Sequence, residues 1–249
     1  DSYSQIEKLI YMANVITKHI PNTITCCNLI CGCIAIDNAL SGLYGMAFLF
    51  IILGAVFDFF DGMSARLLNA PSPIGVELDS LADVITFGLA PSMMLFCFLL
   101  PILGWWALLA LLMAAFSALR LAKFNVDERQ HDSFIGLATP ANALFWGGIC
   151  SMPIAIVAYD WIAWILLAIS LVSCYLLNAE IPFFSFKAFK KNKMVVVSFI
   201  IGCLILIALC TTKALITNHS HFILFSGTAC IIWYVALNLI LNISTAKNK

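Results

Sequence analysis

Charge is scarce in this chain. Thirteen Lys and Arg and thirteen Asp and Glu are spread over 249 residues, and their formal balance is zero. A neutral chain has no general attraction for nucleic acid, so no nucleic-acid partner is expected. Low-complexity tracts and a convincing internal repeat are absent as well, so the chain reads as one domain rather than a string of modules. The opening stretch "DSYSQIEKLIYMANVITKHI" lacks a short apolar core followed by a small-residue cleavage site, and so does not read as a signal peptide. Ten cysteines are present, but most lie in apolar runs, where Cys acts as a small hydrophobe. The group Cys26, Cys27, Cys31 and Cys33 has no nearby His and no paired CxxC spacing to suggest a metal finger.

What is abundant is apolar surface. The chain is 63% hydrophobic, with mean hydropathy +1.02. A soluble protein cannot cover that much apolar surface, so the expected fold is all-α, a polytopic membrane helical bundle. A span needs about 20 mostly apolar residues. Eight stretches qualify, at roughly 22–36, 43–68, 75–100, 103–123, 139–159, 161–178, 194–212 and 221–243. Ahead of them Ile6, Leu9, Ile10, Ala13, Ile16 and Ile20 recur at helical spacing. That pattern predicts an amphipathic helix over 1–20, lying along the membrane interface.

The few basic residues set the orientation. Lys8 and Lys18 precede the first span; Arg66, the trio Arg120, Lys123 and Arg129, and the cluster Lys187, Lys190, Lys191 and Lys193 fall in alternate loops; Lys247 and Lys249 end the sequence. Only Lys213 falls on the other side. The asymmetry places both termini and the even-numbered loops in the cytoplasm. Trp105, Trp106, Trp161 and Trp164 fall near the opposite ends of the spans, where interfacial aromatics belong.

Against this background "DFFDGMSARLLNAPSPIGVELDSLAD", residues 58–83, holds five carboxylates. Asp58 and Asp61 are three apart and Asp79 and Asp83 four apart, so each pair shares a helix face. The intervening "LLNAPSP" contains prolines that end one helix and begin the next. An antiparallel hairpin brings the four aspartates together at its cytoplasmic end. Unpaired they would repel one another; one or two divalent cations resolve this, and hard oxygen ligands select Mg²⁺, Mn²⁺ or Ca²⁺ over zinc. Gly62, Gly75 and Ala65 leave space beside the acids, and Arg66 adds a fixed positive charge. Such a site suits a metal-bridged diphosphate. Glu77, two residues before Asp79, falls off that face.

The pattern D-x2-D-G-x2-A-R-x8-G-x3-D-x3-D, complete at Asp58, Asp61, Gly62, Ala65, Arg66, Gly75, Asp79 and Asp83, resembles the signature of the CDP-alcohol phosphatidyltransferases. The resemblance implies a helical membrane bundle with a cytoplasm-facing site. It implies two metal ions, Mg²⁺ or Mn²⁺, held by Asp58, Asp61 and Asp79, with Asp83 as general base that also touches a metal. Gly62, Ala65 and Gly75 become the floor of a cytidine nucleotide site near Asp61 and Arg66. The family's usual six-span core corresponds here to 21–178, and 179–249 becomes an addition of two helices. Homodimerisation is implied too, and Gly147 and Gly148, or the surface of spans three and four, can pack helices.

Further stretches, "IPNTITCCNL" (20–29), "DVITFGLAPS" (83–92), "ALRLAKFN" (118–125) and "GLATPAN" (136–142), resemble the integral-membrane branch of that family whose acceptor is L-serine. The implied reaction moves a phosphatidyl group from CDP-diacylglycerol to the serine hydroxyl and releases CMP, at a prokaryotic inner or plasma membrane among its lipids. Pro21 suits a helix start, and Asn22 and Thr25 can reach the nucleotide or cap the first span. Thr86 and Ser92 can line an acceptor pocket, and Arg120 and Lys123, three apart, can meet a serine carboxylate or anchor the helix end. Asn125 and Asn142 can orient polar groups or cap helices. Asp127, Glu128, His131 and Asp132 read as a solvated loop. Two rivals stand beside this reading: the same chemistry with a phosphorylated acceptor, glycerol phosphate or inositol phosphate, which would call for more basic residues near the site, and a cation transporter using the acids as an ion path.

Overall fold

The computed structural model describes residues 2–70, 72–126, 134–154, 159–183, 193–219 and 221–247. The chain is helical almost throughout. Helix α1 runs Ser2–Leu40, α2 Tyr44–Leu67 and α3 Pro73–Asp83. A π-helical turn, Val84–Leu89, leads into α4, Ala90–Leu103; a 3-10 stretch, Gly104–Leu111, leads into α5, Leu112–Val126. Then come α6, Thr139–Cys150; α7, Asp160–Asn178; α8, Lys193–Thr217; and α9, His221–Lys247. Strands β1 (Phe134–Ile135) and β2 (Pro182–Phe183) form a short antiparallel ladder that pairs Phe134 with Phe183 and Ile135 with Pro182.

Six stretches among the described residues are long and apolar enough to cross a membrane. One of them, Pro73–Val126, is 54 residues long. At 1.5 Å per helical residue that far exceeds a hydrocarbon core of about 30 Å. The stretch doubles back at Gly104, whose φ of +54° lies in the left-handed region that glycine adopts without a Cβ clash. Its two ends meet where Asn125 Nδ2 donates to Ser80 Oγ at 2.9 Å. The hairpin expected from 75–100 and 103–123 is therefore present, with a 3-10 opening to its second arm.

Two boundaries differ from the sequence reading. Pro21 does not begin a helix: it lies inside α1, which is continuous from Ser2. Proline removes one N–H and bends a helix without obliging it to stop, and Thr25 Oγ1 lies 3.0 Å from the Pro21 carbonyl oxygen. The expected interfacial segment is thus the first half of a longer helix; the side chains of residues 1–18, which would carry its amphipathic face, lie outside those described. Among the described residues, the stretch expected to span 139–159 holds the 12-residue α6, which ends at Cys150. Pro153 follows shortly and, without an N–H, cannot extend the helix. The acidic loop at 127–132 and Lys187, Lys190, Lys191 and Lys249 also lie outside the described residues.

The core forms where α2, α4, α5, α6 and α7 meet, around fully buried Phe48, Ile51, Met94, Leu99, Met113 and Trp146. Trp146 Nε1 donates to Ser173 Oγ at 3.1 Å, which satisfies the one polar atom that ring carries. Gly147 lies flat against the Phe48 ring and Gly148 against Thr228, with no room for a Cβ at either. The glycine pair considered for helix packing is used inside the chain, joining α6 to α2 and α9. Trp106 and Trp164, both exposed, stand with ring centroids 6.0 Å apart, so the Gly104 turn and the start of α7 share one end of the bundle.

Candidate active site

The site is built on the α2–α3 hairpin. Helix α2 ends at Leu67, and Asn69 adopts a left-handed φ of 48°, a conformation Asn tolerates better than most residues. Ser72 then caps α3, its hydroxyl accepting from Gly75 N at 3.0 Å, with Pro73 in the first turn. Pro71 lies outside the described residues, so within them Asn69 and Ser72–Pro73 define the turn.

The hairpin brings Asp58, Asp61 and Asp79 together. One carboxylate oxygen from each lies within 4.8 Å of the other two. Asp79 Oδ1 is buried and has no hydrogen-bond partner among the described residues. Thr25 Oγ1, from α1, donates to Asp61 Oδ2 at 2.6 Å and orients that carboxylate. Three converging carboxylates, one with an orphaned buried oxygen, are a donor set for a hard divalent cation.

Beside the trio lies a cleft of about 140 Å³ between α1, α2 and α3. All of the residues expected to hold the nucleotide except Arg66 line it: Asn22, Thr25, Asp61, Gly62, Ala65 and Gly75. Two of the glycines serve different ends. A Cβ on Gly75 would meet Asn22 Oδ1 and Ser72 Oγ at 3.0 Å, so Gly75 lets α1 and the helix cap approach. A Cβ on Gly62 would meet nothing closer than Arg66 Nη2 at 3.8 Å. Protein packing does not require glycine there, whereas a ligand against the backbone would. Arg66 stays at the rim, its Nε donating to the Gly62 carbonyl at 2.8 Å.

Asp83 stands apart from the trio, one turn further along the helix and only 8% exposed. Asn28 Nδ2 donates to its Oδ1 at 3.2 Å. The π-turn begins at the next residue, and Thr86 in that turn donates to the Asn28 carbonyl at 3.0 Å. Thr86 is wedged between Gly32 and Gly54, each too close for a side chain of its own. A π-turn inside an α-helix is a common mark of a functional site. This one locks α1 to the segment after Asp83.

The four candidate acceptor residues separate. Thr86 and Ser92 are fully buried and donate their hydroxyl protons to the Asn28 and Gly88 carbonyls. Lys123 is exposed at the end of α5, as expected of a cation anchoring a helix end. Arg120 turns inward: it is 7% exposed, its Nη1 donates to Thr139 Oγ1 at 3.1 Å, and it interacts electrostatically with Asp83. Its Nε has no partner among the described residues. The two cations, three apart in sequence, do not serve one surface. Asn125 bonds to Ser80, whereas Asn142 is fully buried with both amide atoms unpaired among the described residues.

Asn28 and Thr139 were not singled out from the sequence. Asn28 carried a signal, since a polar residue three positions after Thr25 falls on the same face of α1. Thr139 lies in the quoted stretch 136–142, but only the packing of α5 on α6 pairs it with Arg120.

Known proteins bear on this arrangement. The CDP-alcohol phosphatidyltransferase family pattern matches residues 18–176. A CDP-diacylglycerol–serine O-phosphatidyltransferase of Bacillus subtilis is 42% identical over 174 residues, covering 68% of this chain and 92% of that protein. Enzymes of the same name from Helicobacter pylori and Methanocaldococcus jannaschii are 38% and 36% identical over 127 and 118 residues. These shorter matches span about half of each relative, 54% and 57%. The matched region contains the whole aspartate constellation and ends within α7. With the family pattern covering more than half of its length, and three of its four signature aspartates gathered beside the α1–α2–α3 cleft, the chain belongs to the CDP-alcohol phosphatidyltransferases.

Proposed function

We propose that this protein transfers the phosphatidyl group of CDP-diacylglycerol to the hydroxyl of L-serine, releasing CMP and forming phosphatidylserine. The observation that carries the reading is the convergence of Asp58, Asp61 and Asp79 beside the cleft lined by Gly62, Ala65 and Gly75. The names of the similar enzymes supply the serine acceptor.

The residues divide the work. Asp58, Asp61 and Asp79 would hold Mg²⁺ or Mn²⁺, two ions in all, and Ca²⁺ could occupy the same oxygens. Bound there, the cations neutralise the diphosphate and make its phosphorus more electrophilic. The cleft seats the cytidine, with Asn22 and Thr25 on one wall and Gly62 admitting the ligand to the backbone. Asp83 is the general base. Its Oδ1 is engaged by Asn28, which leaves Oδ2 to take the serine hydroxyl proton. The serine oxygen forms a bond to the lipid-bearing phosphorus, the bond from that phosphorus to the CMP oxygen breaks, and CMP leaves with the electron pair. Arg120, fixed by Thr139 and close enough to Asp83 to feel its charge, offers its unpartnered Nε to the serine carboxylate.

In the membrane the same reading has eight crossings, the six long apolar stretches, of which Pro73–Val126 crosses twice, and the 139–159 segment, with an interfacial N-terminal segment. Both termini and the site face the cytoplasm of a prokaryotic cell. Residues 21–178 form the catalytic core, 179–249 the addition, and two copies form a homodimer.

A substrate panel tests the reading. Purified protein with CDP-diacylglycerol and Mn²⁺ or Mg²⁺ should release CMP with serine, and far less with glycerol 3-phosphate or inositol phosphate. Release with a phosphorylated acceptor alone would reassign the acceptor, and cation flux through vesicles without CMP release would replace the enzyme with a transporter.

A further inference from the structure

We infer that Tyr234, on α9, positions the Arg120 guanidinium for the acceptor's carboxylate, which makes the C-terminal hairpin part of acceptor recognition. The inference rests on the proposed reaction and adds a positioning residue to it.

Helix α9 lies wholly beyond residues 18–176, which the family pattern matches. Its sequence is largely apolar, as a membrane span requires. Polar side chains in such a helix are costly unless they meet partners inside the bundle. Thr228 and Asn238 are buried and Tyr234 is half-buried. Thr228 is accounted for by packing: it donates to the Phe145 carbonyl at 2.8 Å, in the space that Gly148 leaves. Tyr234 and Asn238, four apart on one face, serve something else.

The register of α9 on α6 shows what they face. A Cβ on Gly148 would meet the Leu224 carbonyl, Phe145 bonds to Thr228, and Asn142 lies beside Ile231 and Val235. Numbers fall along α6 as they rise along α9, so the two helices run antiparallel. Six residues back from Phe145 is Thr139, and six on from Thr228 is Tyr234, at the same level. Thr139 is the residue to which Arg120 Nη1 donates. Consistent with that register, Tyr234 and Arg120 interact electrostatically.

Tyr234 is itself held in place. Phe199 of α8 stands edge-on to its ring, with centroids 5.9 Å apart. Asn238 hydrogen-bonds its side chain and also donates to its carbonyl at 2.8 Å. The guanidinium thus has Thr139 at Nη1 and both Asp83 and Tyr234 within electrostatic reach, while Nε has no partner among the described residues. Guanidinium is a planar fork, so fixing its rotation fixes where Nε points. A phenol oxygen turned toward the cation favours one rotation without neutralising the charge. A carboxylate in its place would form an ion pair and compete with the acceptor's own carboxylate.

Steady-state CMP release from the full-length protein, with serine and CDP-diacylglycerol varied in turn, tests this. Tyr234→Phe keeps the ring on Phe199 and removes the hydroxyl. It should raise the serine KM by about fivefold, the worth of one hydrogen-bonding group. The donor KM and kcat should stay within about twofold. In an Arg120→Ala background the same change should leave the serine KM where Arg120→Ala alone sets it, because no guanidinium remains to be positioned. A tyrosine that only packs the hairpin would not show this dependence on Arg120. Asn238→Leu, which releases the phenol, carries the same prediction if the phenylalanine variant does not fold. An unchanged serine KM, an equal rise in donor KM, or a rise that persists in full without Arg120 would overturn the inference and leave the reaction standing. The reaction fails on a different result, no CMP release from the unaltered protein with serine, which would take the inference with it.

Discussion

Asn28 Nδ2 donates to Asp83 Oδ1 at 3.2 Å, joining residues 55 positions apart on different helices. The bond leaves one Asp83 oxygen for a substrate proton, and Thr86 secures Asn28 through its own carbonyl. Replacing Asn28 by Leu should therefore lower kcat by about a hundredfold, toward the low end of what a positioned base contributes. The KM for CDP-diacylglycerol should change little. Steady-state CMP release separates the two, and a selective rise in donor KM would place Asn28 in donor binding instead.

Thr25 orients the Asp61 carboxylate from α1. Thr25→Val keeps the shape and removes the hydroxyl, so the Mn²⁺ concentration for half-maximal activity should rise by roughly 10-fold, in the range found for partners of metal ligands. A metal titration at saturating donor and serine reads this directly. An unchanged titration would mean that Asp61 is held well enough without Thr25.

Gly62 has open space where a Cβ would point. Gly62→Ala should leave the melting temperature in detergent essentially unchanged while the KM for CDP-diacylglycerol rises several-fold. Gly147, packed flat on Phe48, should behave in the opposite way. Gly147→Ala overpacks the core, at a cost of about 1–3 kcal/mol, and should lower the melting temperature before it alters any KM. Thermal unfolding and kinetics on the two variants together distinguish a ligand-facing glycine from a packing one.

Arg120 and Lys123 should part in their effects. Arg120→Ala should raise the serine KM by about tenfold or more, because a charge-assisted bond to carboxylate is lost. Lys123→Ala, at the exposed end of α5, should leave that KM within about twofold, as surface substitutions usually do. Equal effects on serine and donor would remove Arg120 from the acceptor pocket.

The aspartates were legible because helical spacing alone puts each pair on one face, and a hairpin turn was written in the prolines of "LLNAPSP". The membrane fold was legible from hydropathy. What the sequence concealed is tertiary. Asp83 shares a face with Asp79, yet lies a turn further along, outside the close-set trio, where Asn28 bonds to it. No local pattern marks the π-turn, which depends on Thr86 fitting between Gly32 and Gly54 from two other helices. Arg120 and Lys123 looked equivalent until the packing of α6 gave one of them a buried partner in Thr139. Pro21 looked like a helix start because proline favours that position, but the helix tolerates it internally.

Crystals grown with Mn²⁺ and CDP, measured at the manganese absorption edge, test the central claim most directly. Anomalous peaks should appear among the carboxylates of Asp58, Asp61 and Asp79, bridging to the diphosphate, and should vanish in Asp79→Ala. Ordered CDP in the Gly62–Gly75 cleft with no manganese at these carboxylates would contradict the account.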